Sequence, residues 1–271
     1  MGQAIAERIS VKYAVSVFEK DTTKTKGLSG VMVASDISQL IKQSQAIILA
    51  IKPQDFEPVM AEIKGNLQNK LVISIAAGIT TEYIQKVLGR VRVIRVMPNL
   101  AVKVGQSTTS ICKGAFATRT DLKFVEKLFK YLGTVFIFPE KMMDAATAIA
   151  GSGPAYIFYD VEINKLDPLK IPKDFKNEYI KRLKDAGIEV GFDSEVASSL
   201  SIDTVSSGAG LLAGTGILPA QLRKMVTSPG GTTEAALKVI TNGGSWPEAA
   251  VAAKNRAQEL SIKACLPAGR E

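Results

Sequence analysis

Residues 151–156, Gly151-Ser152-Gly153-Pro154-Ala155-Tyr156, divide the chain. On their N-terminal side short apolar runs alternate with helical patterns, the grammar of an α/β sheet. On their C-terminal side one helical pattern follows another and no strand is expected. The hexapeptide itself reads as a tight, glycine-permitted turn into a helix. Pro154 suits a first helical position, where its fixed φ matches the helix and its missing N–H costs nothing. Bare backbone at Gly151 and Gly153 also lets the chain lie close against a flat ligand. A second such stretch, Ser228-Pro229-Gly230-Gly231-Thr232-Thr233, stands far down the helical half. The pair argues for a site rather than a plain interdomain hinge.

Working back from the hexapeptide, strands are expected at 13–18, 46–51, 71–75, 91–96 and 135–138, with residues 108–112 ambiguous. Helices are expected at 1–9, 38–43, 56–63, 80–88 (capped by Thr80 or Thr81), 121–132 and 144–150. This alternation predicts a parallel sheet covered on both faces, with ligands outside the carboxyl ends of its strands. Three strand ends, Lys52-Pro53, Ala76-Ala77-Gly78 and Met97-Pro98-Asn99, outline that edge. Working forward, helices are expected at 155–162, 183–190, 194–212, 219–226, 233–240 and 247–260. Residues 163–182 carry Pro168, Pro172 and many lysines and read as a solvated insertion. The expected domains are therefore 1–139, an α/β unit, and 140–271, an all-α unit.

Composition narrows the chemistry. The 271 residues include no histidine, which excludes Ser–His and Cys–His nucleophiles and removes the commonest zinc ligand; no metal site is expected. Acid–base work falls to carboxylates, lysine, tyrosine, hydroxyls or a bound cofactor. The formal charge of +8 is spread along the chain with few aromatics, which suits an enzyme of anionic ligands better than a nucleic-acid partner. No apolar run is long enough for a bilayer and no signal pattern opens the chain, so no membrane partner and a cytoplasmic setting are expected. Cys112 and Cys265, far apart in sequence, are expected reduced.

Five motifs then fall into one order: Ala50-Ile51-Lys52-Pro53, Ile75-Ala76-Ala77-Gly78, Met97-Pro98-Asn99, the hexapeptide, and Val226-Thr227-Ser228-Pro229-Gly230-Gly231-Thr232-Thr233. In order and spacing the chain resembles the pyrroline-5-carboxylate reductase family, over nearly its whole length except 163–182 and the tail. The resemblance implies an α/β Rossmann-type dinucleotide-binding domain followed by an all-α dimerisation domain that intertwines with a partner, giving a homodimer or higher homo-oligomer. It implies NADPH- or NADH-dependent reduction of pyrroline-5-carboxylate to proline. The physical reading agrees: a protonated cyclic imine is already electrophilic, and the protein need only bind the carboxylate, orient the ring and exclude water.

On the family's pattern, the substrate is held by Ser228, Gly230, Gly231, Thr232 and Thr233. Gly230 and Gly231 are expected to leave their N–H groups free at a helix start, and the Thr233 hydroxyl is expected beside the imine nitrogen. The dinucleotide falls to Gly2, Ala50, Ile51, Lys52, Pro53, Ala76, Gly78 and Asn99. Glu19 would accept from a ribose hydroxyl, or Lys20 would pair a 2′-phosphate. Three departures stand beside the match. The chain begins inside the family's glycine loop, so the first strand and two glycines are expected to be missing, through truncation or a start at an internal methionine. Ile37 stands where the family usually has Asn, and Leu100-Ala101 where it has Thr-Pro. The segment 163–182 is expected to interrupt a helix of the dimerising unit. Two rivals remain: a relative that has lost catalysis and keeps a binding or assembly role, told apart by nicotinamide binding, and a hydroxyacid-dehydrogenase-type reductase. The latter needs a lysine on the helix after the hinge, and none follows Tyr156 before Lys165.

Overall fold

The computed structural model describes residues 1–51 and 55–265, without the side chains of 262–265; Lys52 and Pro53 lie outside it. The first half runs α1 (Gly2–Ile9), β1 (Val15–Val17), β2 (Val31–Val33), α2 (Ile37–Gln43), β3 (Ala46–Leu49), α3 (Phe56–Ile63), β4 (Leu71–Ser74), α4 (Thr81–Leu88), β5 (Arg92–Met97), β6 (Ser107–Lys113), α5 (Arg119–Lys130) and β7 (Gly133–Ile137). Local chemistry sets the helix starts. Asp36, Thr80 and Thr118 accept first-turn N–H groups of α2, α4 and α5, and Asp121 completes a capping box with Thr118.

The strands form two sheets. Among the described residues β1 pairs with β2 alone, in parallel, and the other five strands follow the order β3-β4-β5-β6-β7. β4 is buried along its whole length, as a central parallel strand should be. The expectation of an all-parallel sheet needs correction, because β6 runs antiparallel to β5. The reason is chain length: β5 and β6 are joined by one short 3-10 turn, Leu100–Val104, whereas a parallel return needs a dozen or more residues. The ambiguous residues 108–112 are this strand. β2 was not expected; it is three residues long, and Met32 and Val33 are exposed.

The second half contains helices and, among the described residues, no strand: α6 (Met143–Ala146), α7 (Gly153–Ile163), α8 (Lys173–Glu189), α9 (Ser194–Thr215), α10 (Pro219–Val226), α11 (Thr232–Thr241) and α12 (Trp246–Cys265). Residues 163–182 are not a solvated insertion throughout. Their second part opens α8, which buries Tyr179, Leu183 and Ala186 against α9 and α12. The apolar positions recur at helical spacing but are hidden in sequence by the lysines between them. Trp246, fully buried, stacks on Tyr179 at 5.6 Å and meets Tyr156 edge-on at 5.7 Å, while the Arg182 guanidinium lies 4.0 Å over its ring.

The halves are joined by polar contacts. Arg95 of β5, 2% exposed, reaches Glu140 (2.7 Å) and Asp144 (3.3 Å) in the passage from β7 to α6. Glu140 also accepts from the Thr81 hydroxyl (2.6 Å) and the Cys112 thiol (3.4 Å). Burial works to raise the Glu140 pKa, but Arg95 and the Thr81 hydrogen bonds outweigh it and hold the carboxyl below its usual range. Alongside, Thr108 of β6 and Ser207 of α9 share a 2.8 Å hydrogen bond.

Candidate functional site

The hexapeptide is where the sheet edge meets the helices, and its geometry differs from the expected turn. Residues Thr147–Gly151 are π-helical and Ser152 is right-handed, so α6 and α7 form one helix with a widened turn. The Ser152 N–H reaches back to the Thr147 carbonyl, 2.9 Å away and five residues earlier. Gly151 and Gly153 are small because protein crowds them. A Cβ on Gly151 would lie 3.2 Å from Met97 Cε, and one on Gly153 would lie 3.1 Å from Thr204 Cγ2.

Pro154 has a consequence inside this helix. It stands four residues after Ala150 and has no N–H to give to the Ala150 carbonyl. Asn99, at the end of β5, fills the place: its Nδ2 donates to the Ala150 oxygen at 3.2 Å, while its Oδ1 accepts from the Ala101 N–H. Tyr156 similarly donates its hydroxyl to the Ala148 carbonyl, and burial pushes its pKa up. Asn99 is buried, and its side-chain amide makes one donor and one acceptor bond to these protein partners.

The second glycine stretch lies against the first. Thr233 Oγ1 donates to Ser152 Oγ at 3.1 Å, and Ser152 Oγ is also 3.1 Å from Thr232 Oγ1. Ser152 and Thr233 are buried, Thr232 is half-buried, and Ser228 and Gly230 are exposed at the mouth. Gly230 has φ +67°, which favours glycine, and a Cβ on Gly231 would collide with Ser228 Oγ. The expectation that both glycine N–H groups are free is corrected. Gly230 donates to Glu234 Oε2 (2.8 Å) and Gly231 to the Ser228 carbonyl (3.0 Å). The turn must close on itself before α11 can start, so any anion here is left the first-turn N–H groups from Thr232 onward, where no side chain among the described residues caps the helix.

Two residues outside the sequence reading tie the edges together. Arg256 of α12 donates to the Gly230 carbonyl at 2.6 Å. One turn on, Leu260 packs on the turn after β4, where a Cβ on Gly78 (φ +74°) would lie 2.9 Å from Leu260 Cβ. Residues 256 and 260 share a helix face. That spacing was visible, but nothing in it named the partners.

The other expected cofactor residues lie along the sheet edge. A Cβ on Gly2 would stand 2.8 Å from Ala50 Cβ, so bare backbone seats the start of α1 on the end of β3. Ala50 is exposed, Ile51 half-buried, Ala76 and Gly78 buried beside them. Glu19 and Lys20 are exposed after β1, in the separate pair of strands, and Glu19 accepts from the Asp21 N–H at 3.1 Å.

Comparison with known proteins bears on this geometry. Residues 175–260 match the family model described as pyrroline-5-carboxylate reductase dimerisation, and residues 1–78 match one described as NADP oxidoreductase coenzyme F420-dependent. A pyrroline-5-carboxylate reductase of Methanosarcina acetivorans is 34% identical over 92% of this chain and 87% of its own length. The chain belongs to the pyrroline-5-carboxylate reductase family. An Arabidopsis thaliana pyrroline-5-carboxylate reductase is 37% identical over 86% of this chain and 79% of its own. The solved Coxiella burnetii pyrroline-5-carboxylate reductase aligns with a TM-score of 0.61 at 30% identity, over 96% of this chain and 94% of that one. The Plasmodium falciparum pyrroline carboxylate reductase, solved with NADP bound, aligns with the same TM-score at 26% identity over the same shares. The resemblance read from five motifs is borne out, and with it the Rossmann-type half and the helical half.

Proposed function

We propose that this chain reduces 1-pyrroline-5-carboxylate to L-proline with NADPH or NADH. The observation that carries the reading is the junction at Ser152, where a helix tied to the end of β5 through Asn99 meets the first turn of α11 through two hydroxyls. A small ring held there lies between the strand edge and the uncapped helix start. The residues expected to line a dinucleotide, Gly2, Ala50, Ile51, Ala76 and Gly78, lie along that edge, with Gly2 and Gly78 packed on Ala50 and Leu260. Lys52 and Pro53 belong to the same reading, and Glu19 or Lys20 would meet the adenosine ribose. When bound, the cofactor supplies the hydride.

The chain's own residues then bind and orient. The N–H groups from Thr232 onward favour the substrate carboxylate by about 0.3–1 kcal/mol, more where partly buried. Ser228, Gly230 and Gly231 shape the turn, and the Thr233 hydroxyl faces the imine nitrogen. The assay is oxidation of NADPH and of NADH by the purified chain, with and without pyrroline-5-carboxylate. Substrate-dependent oxidation is expected; its absence with both cofactors would refute the reading.

The working unit we infer is a homodimer of a cytoplasmic enzyme, with no nucleic-acid or membrane partner. Among the described residues no helix is long and apolar enough to cross a membrane. An open apolar cleft of about 290 Å³, lined by Leu169, Ile171, Ile180, Ile202, Val205 and Ala213, lies between residues 168–171 and the helices α8 and α9, and the helices fall largely within the segment 175–260 that matches the dimerisation model. Ile202 is 49% exposed there. Ile202→Glu is expected to halve the mass seen by light scattering, and an unchanged mass would remove this face from the interface.

A further inference from the structure

The hydroxyls of Ser152, Thr232 and Thr233 form a chain with a direction. Thr233 Oγ1 is the donor in its 3.1 Å contact with Ser152 Oγ. A hydroxyl has one proton to give and two lone pairs to accept with. Ser152 is wholly buried, and among the described residues its Oγ has two partners, Thr233 and Thr232. A buried hydroxyl is normally satisfied. Having accepted from Thr233, Ser152 therefore gives its own proton to Thr232 Oγ1, the half-buried member nearer solvent. The widened helical turn fixes Ser152 in this position, held by its N–H bond to Thr147 and by the Asn99 bond to Ala150 on the same turn.

We propose that Ser152 is a positioning residue which takes the proton of Thr233 and so turns Thr233 into a hydrogen-bond acceptor towards the substrate nitrogen, selecting the protonated form of the cyclic imine. The inference rests on the function proposed above. A neutral imine nitrogen offers only a lone pair, which would face the lone pairs of Thr233. A protonated imine offers an N–H, which Thr233 accepts. The site thereby favours the charged form and raises the proton affinity of the bound imine. That is the form which takes a hydride. The hydride adds to the carbon of the C=N bond, and the π pair moves onto nitrogen, which already carries its proton. The neutral amine formed takes one further proton from water, so no side chain has to supply one during the transfer.

The test is the pH profile of kcat for Ser152→Ala beside the unaltered chain, with Ser152→Thr as the variant that keeps a hydroxyl. The profile of kcat reports ionisations in the substrate complex. In Ser152→Ala the Thr233 proton is released towards the substrate nitrogen and the preference for the charged imine is lost. The basic limb should move down by about one pH unit, so that kcat falls about tenfold above it while KM for the nicotinamide is unchanged. Ser152→Thr should restore the limb. A second readout needs no turnover: calorimetric affinity for L-proline, whose ring nitrogen carries donors, should fall about tenfold at neutral pH in Ser152→Ala.

An unmoved basic limb, or a loss of kcat that is equal at every pH, would overturn the proposal while leaving the reductase reading in place. An unaltered chain silent with both nicotinamides would refute the reductase reading and this proposal with it. Should Ser152→Ala fail to fold, Thr233→Val, which keeps the shape and removes the hydroxyl, decides in the same way: a lowered basic limb and weakened proline binding support the proposal, and an unmoved limb overturns it.

Discussion

Replacing Arg95 by methionine keeps much of the side-chain stem in β5 and deletes the charge that joins the two halves. Glu140 and Asp144 lose their contacts at 2.7 and 3.3 Å. Removing one partner of a buried ion pair costs about 3–5 kcal/mol when the remaining charge is fully enclosed. Here the remaining carboxylates are 31% and 18% exposed, and Glu140 keeps the Thr81 N–H and hydroxyl. Water and Thr81 take part of the load, and the expected loss is about 2–3 kcal/mol. The double variant Arg95→Met with Glu140→Gln should recover part of it, since it removes the stranded charge. The assay is urea unfolding followed by circular dichroism.

The pH dependence sharpens this prediction. The folded-state pKa of Glu140 lies below the ordinary 4.5, so its stabilisation is complete above that value and is lost as pH falls through the depressed folded value. Without Arg95, burial acts unopposed by the guanidinium. The folded pKa then rises, and the variant gains stability relative to the unaltered chain as pH falls. The gap between the two should therefore narrow from pH 7 towards pH 4. A loss below about 0.5 kcal/mol at pH 7, within the range of an exposed pair, would refute the argument that Arg95 is a buried joint, as would a gap that widens in acid.

Three further outcomes follow from single contacts. Trp246→Ala removes the ring between Tyr156, Tyr179 and Arg182 and should cost about 3–5 kcal/mol in urea unfolding, a tenth of that being inconsistent with the packing. Gly231→Ala forces the new methyl into Ser228 and should raise KM for pyrroline-5-carboxylate more than about tenfold while leaving the nicotinamide KM unchanged; equal effects on both would mean that the turn is not a substrate element. Cys112 is buried, and burial followed by the negative charge of Glu140 pushes its thiol pKa up, so iodoacetamide at pH 7.5 should modify it in denaturant and only very slowly in the folded protein, as peptide mass spectrometry would register.

Much of the architecture was already legible in local patterns, because helices and buried strands are set by periodicity and caps within a few residues. Residues 56–63 and 219–226 were bounded correctly, and Thr80 caps α4 as expected. The family followed from five short motifs in order. Local pattern failed where a neighbour decides. β6 runs antiparallel because the turn before it is short, and β2 is strand only through its ladder with β1. The lysine-rich 173–182 segment is core because Trp246 stacks on its Tyr179, a partner 67 positions away in sequence. The glycine pair at 230 and 231 does not free its N–H groups, because Glu234 and Ser228 accept them. Ser152 was visible only as part of a motif. Its proximity to Thr233, 81 residues on, and the donor direction between them are properties of packed helices, which bring distant hydroxyls within hydrogen-bond reach and bury them together.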